Sequence, residues 1–109
     1  MILLVLPFVT PSQNQNAKWH WGKRHRFSQD CQREIRAALN GQGRWMTAPP
    51  TNKISVTITR HAPGVPLDDD NLRAGCKGLV DALVREQLLY DDSPAWCSFV
   101  YRQERSTRA

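Results

Sequence analysis

Apolar and polar residues follow three rhythms along this chain. The opening stretch, 2–9, is a nearly continuous apolar run and predicts a buried strand. Residues 53–60, KISVTITR, alternate with period two, which sends Ile54, Val56 and Ile58 to a core and Ser55, Thr57 and Thr59 to solvent. Between them, Cys31, Ile35, Ala38 and Leu39 recur at helical spacing, behind a plausible N-cap at Ser28 and ahead of a stop at Asn40-Gly41. The same rhythm returns over 71–87, where Leu72, Cys76, Leu79, Val80 and Leu83 share one side of a predicted helix, with Asp69 or Asp70 as its cap. Residues 96–101 read as a last strand, with a loose basic tail over 102–109. The expected architecture is therefore α/β (α+β), one domain over 1–109. A small mixed sheet packs on two helices in the order β-α-β-α-β.

Charge changes this picture by adding a partner. The 109 residues carry a net charge of +5, which favours a polyanion. The cations are unevenly placed: Lys18, Lys23, Arg24, Arg26, Arg33 and Arg36 crowd the first third, and Arg102, Arg105 and Arg108 the end. Residues 12–27 form a predicted polar, basic loop in which Lys18, Lys23, Arg24 and Arg26 suit phosphates, while Trp19 and Trp21 either stack on exposed bases or tuck into the domain. Trp45 and Met46, in the loop after the first helix, read as packing residues.

Three scattered cysteines, Cys31, Cys76 and Cys97, lack CxxC spacing and predict free thiols in a reducing cytoplasm. His20, His25 and Cys31 match no strong zinc pattern. The apolar opening lacks a basic leader and is too short to span a bilayer, so no membrane partner is expected.

The stretch 67–92, LDDDNLRAGCKGLVDALVREQLLYDD, concentrates the candidate chemistry. Asp68, Asp69 and Asp70 precede the second helix and Asp91 and Asp92 follow it. Carboxylates repel one another, and acidic oxygens without nearby Cys or His suit a hard ion such as Mg²⁺ or Mn²⁺. A sheet that returned Asp92 beside Asp68 and Asp70 would complete a three-carboxylate cage. Asp81 lies ~16 Å along the helix axis from Asp70 at ~1.5 Å per residue, too far to share that ion. Lys77 lies on the same stripe as Asp70 and Asp81 and leans toward the helix N-terminus.

DDDNL, then KGLVDAL, then DD resembles the RusA-type Holliday junction resolvases, small endonucleases common in phages and prophages. Leu6-Pro7-Phe8, Pro11-Ser12 and Asn14 are similar to the L-P-x-P-P-S-x-N opening of that family. The resemblance implies a Mg²⁺-dependent, structure-selective endodeoxyribonuclease that resolves four-way DNA junctions by paired symmetric nicks. It acts in DNA recombination and repair as a homodimer, as the near two-fold symmetry of the substrate also asks.

Carried over by position, Asp68, Asp70 and Asp92 are the metal ligands and Lys77 the catalytic lysine. Asp69, Asn71 and Asp91 support the ligands from outside. Asn14 joins Lys18, Trp19, Lys23, Arg24, Arg26 and Arg73 as DNA contacts. The family lysine follows D-N-L by two residues. Here three extra residues intervene, close to one helical turn, so Lys77 keeps its face one turn further on and Arg73 is the nearer cation. Either could serve. The rival expectation from another class is a non-catalytic nucleic-acid-binding module with a degenerate metal site, its aspartates only capping the helix.

Overall fold

A computed structural model describes residues 5–6, 9–11, 18–39 and 48–105. Its elements are α1 (Trp21–Leu39), β1 (Ile54–Ala62), α2 (Asp69–Gly75), α3 (Lys77–Arg85) and β2 (Cys97–Arg105). The α/β class stands. Among the described residues the sheet has two strands, β1 and β2, running parallel in a register that sets Ile54 against Cys97 and Ala62 against Arg105. Parallel pairing needs a long crossover, here supplied by α2 and α3.

The core follows the rhythms. Leu72, Cys76, Leu79 and Val80 from the crossover meet Cys31 and Ile35 from α1 and Ile58 from β1. Leu83 and Val56 pack at its margin. Ala38, expected inside, is exposed.

Several boundaries differ from expectation. Of the apolar opening, Val5, Leu6 and Val9 are described and are not in a strand. Leu6 packs on the core, while Val5 and Val9 are exposed, so the run is not buried along its length. Positions 1–4, 7–8, 12–17, 40–47 and 106–109 lie outside the described residues. With them go the expectations on Asn14, Trp45 and Met46, on the Asn40-Gly41 helix stop and on Arg108.

The basic stretch is not all loop. α1 starts at Trp21 and takes Lys23, Arg24 and Arg26 into its first turns. Lys and Arg are good helix formers, and Phe27 packs against the core and fixes this end of the helix. Gly78 of α3 makes that approach possible: a Cβ there would meet the Phe27 ring at 3.0 Å. The tail is not loose from 102 either, because β2 runs to Arg105. The partner strand sets its length.

The predicted helix over 71–87 is two helices joined at Cys76, which caps the first and opens the second. Its backbone N–H is shared between the Leu72 and Arg73 carbonyls at 3.2 and 3.1 Å, a tightened turn directly after Gly75. The first helix also begins earlier than predicted. Its N-cap is Asp68, not Asp69 or Asp70. Asp68 is extended (φ −68°, ψ 166°) and accepts from the Asn71 backbone N–H at 2.9 Å, while the Asn71 side-chain amide donates to its other oxygen at 2.9 Å.

Candidate functional site: a cationic groove and an acidic loop

Gly64 makes the turn out of β1 with φ +89°, a conformation that glycine adopts without strain. The chain then passes Leu67, whose N–H and carbonyl are both held by the Gln103 side chain at 2.9 and 2.7 Å. This clasp fixes the start of α2 beside the C-terminal end of β2. Asp68, Asp69 and Asp70 follow, all exposed. Asp69 and Asp70 occupy the first helical turn, where the helix dipole favours negative charge.

The second acidic pair is anchored elsewhere. The Asp91 carbonyl accepts from the Cys97 thiol at 3.0 Å, at the N-terminal end of β2, and Asp91 Oδ1 accepts from the Asp92 N–H at 2.9 Å. Cys97 and Gln103 are roughly 20 Å apart at ~3.3 Å per residue. The two acidic segments are thus tethered at opposite ends of one strand.

Tyr101, between those ends, records what reaches it. Burial raises its pKa, the Cys76 thiol and the Asp92 carboxylate add to the rise, and the Arg73 guanidinium opposes it. Arg73 lies over the same ring, 5.4 Å from its centroid. Arg73 and Asp92 thus both act on Tyr101 electrostatically, Arg73 from over its ring.

A hard cation would suit these exposed carboxylate oxygens chemically. Among the described residues no three His, Cys, Asp or Glu side chains gather as a metal site. Both Asp68 oxygens are engaged by Asn71.

Lys77 faces another way. It lines a groove of about 300 Å³ between α1 and α3, with Trp21, Arg24 and His25 on one wall and Asp81 and Arg85 on the other. The stripe that groups Lys77 with Asp81 thus leads into this groove, whose described lining does not include Asp70. Lys23 is turned away, its Nζ 4.8 Å above the Trp19 ring. Trp19 also meets the Phe27 ring edge-on at 5.5 Å and is half-buried, the tucked arrangement of the two that the sequence offered. Lys18 and Arg26 are exposed outside this lining. His25 and Arg85 are groove residues that sequence reasoning did not single out. The helical register of the basic stretch was the only signal for the first, and only α1 packed on α3 reveals the second.

No family model, curated protein or solved structure matches the chain. Among the described residues no helix is long and apolar enough to cross a membrane.

Proposed function

We propose that this protein is a structure-selective endodeoxyribonuclease of the resolvase kind, acting on four-way DNA junctions as a homodimer with Mg²⁺ as cofactor and Mn²⁺ as substitute. One observation carries the reading. The lysine that the acidic motif singles out, Lys77, shares a groove with Arg24 from the separate basic stretch and with Arg85. Two sequence signals far apart in the chain converge on one cationic surface, and a phosphate backbone is the partner such a surface attracts. The exposed aspartates of the D-x-D-N-L loop supply the carboxylates that hydrolysis of a phosphodiester calls for.

A second reading has its own support. Asp68 caps α2 with both of its oxygens held by Asn71, which favours a nucleic-acid-binding module whose aspartates only cap that helix.

A labelled synthetic four-way junction separates the two. The nuclease cuts it by paired symmetric nicks with Mg²⁺, and Asp70→Asn or Asp92→Asn abolishes cutting while binding persists. Asp68→Asn is the informative third variant, because asparagine still caps a helix while it loses the charge and one of the two acceptors. Tight junction binding with no nicks in Mg²⁺ or Mn²⁺ rejects the nuclease and leaves the module.

A further inference from the structure

The groove contains more than cations. Trp21 begins α1 with 69% of its surface exposed. Its indole is stacked on the His25 imidazole, with centroids 5.3 Å apart and planes only 5° from parallel. Four residues apart on one helix, the two rings are neighbours on the same face. One face of the indole is taken by His25, and the high exposure leaves the other to solvent. Trp21 differs in this from Trp19, which is half-buried against Phe27 and beneath Lys23.

The open indole borders a groove lined by Arg24, Lys77 and Arg85. Its volume of about 300 Å³ is at the low end for small-ligand sites. Asp81 is the acidic member of the described lining; it is outnumbered by the cations and can accept from the amino edge of a base.

A flat π-face beside clustered guanidinium and ammonium groups is the chemistry that binds a base and its phosphate together. Paired bases in a duplex hide their faces in the stack, so such a platform reads unpaired strand.

We propose that the α1–α3 groove is a single-strand site, in which an unpaired base stacks on Trp21 and the adjoining phosphate lies among Arg24, Lys77 and Arg85. The inference rests on the nucleic-acid reading above and narrows its substrate to DNA with unpaired nucleotides, such as those at a branch point.

The test uses the full chain, fluorescence anisotropy and three labelled probes: oligothymidylate, an abasic strand of equal length, and a duplex of the same length. Oligothymidylate should bind about tenfold more tightly than the abasic strand, the scale of a single base–aromatic stack. Trp21→Ala should bring oligothymidylate down to the abasic level, whereas Trp21→Phe should keep most of the difference. Equal affinity of the wild-type chain for the oligothymidylate and abasic strands overturns the proposal without any variant. So does undiminished binding by a Trp21→Ala protein with wild-type circular dichroism.

The outcome is separable from that of the nuclease reading. Base-dependent strand binding by a protein that leaves junctions uncut keeps this site and removes the nuclease. Junction cutting with no base-dependent strand binding does the reverse.

Discussion

Cys31 lies at the centre of the core with none of its surface exposed. Burial, with the Asp30 charge adding to it, pushes its thiol from the ordinary 9.0 up to about 12. Burial raises the Cys76 thiol as well, against weaker opposition from Thr10 and Arg60. An unfolded chain loses these protons near pH 9, while the folded chain keeps that of Cys31 to about pH 12. Between those values the unfolded state binds fewer protons, so stability falls as pH rises. Below pH 9 this contribution is fully present. Urea midpoints taken from pH 7 to pH 11 should be flat with respect to these thiols and then decline, and Cys31→Ala should shallow the decline. At this scale the sequence was informative wherever a side chain had one role. Cys31, Ile35, Leu72 and Cys76 were all readable as core from spacing. Asp68 was not readable as the cap, because three consecutive aspartates offer three candidates and only the Asn71 amide selects among them.

Among the elements, α3 ends in a way that a single substitution probes. Glu86 is its C-cap, and the Leu88 N–H reaches the Leu83 carbonyl at 3.0 Å while the Gln87 N–H reaches Val84 at 2.9 Å. This is the Schellman pattern, and it puts Gln87 at the left-handed position with φ +60°. A side chain there is strained where glycine is not. Gln87→Gly should therefore stabilise the protein by about 1 kcal/mol, read as a raised urea midpoint with unchanged slope.

The elements also show where pattern reading stops. The apolar stripe passes through Cys76 without a break, so nothing in its rhythm marked the division into α2 and α3. The first turns of α1 carry hardly any apolar repeat, so a polar, basic stretch read as loop. Its order comes from Phe27 packed against Gly78, a contact between residues remote in sequence.

Across the whole molecule, one ion pair fastens α1 to the end of α3. Glu86 is buried, and the Arg36 guanidinium grips both its oxygens, through Nε and, at 2.9 Å, through Nη2. The paired carboxylate raises the Arg36 pKa through this hydrogen bonding and its charge, and the cation stays charged at every working pH. Removing it strands a carboxylate away from water. Arg36→Ala should lower the melting temperature clearly more than Arg33→Ala, whose partner Asp30 is half exposed. The groove itself was half legible: Arg24 and Lys77 stood out in the sequence and Arg85 did not, and their meeting required α1 on α3.

The parallel ladder has one more consequence, for how the chain reaches this shape. Each rung joins positions 43 apart, as Ile54 with Cys97 and Ala62 with Arg105. Among the described residues no hairpin can nucleate this ladder. The loop between the strands must close before any rung forms, and its entropy falls on the rate-limiting step. Collapse of the crossover helices on α1 would shorten that loop before β2 reaches β1. A nascent chain that stops short of Cys97 would present β1 without the β2 edge that pairs it.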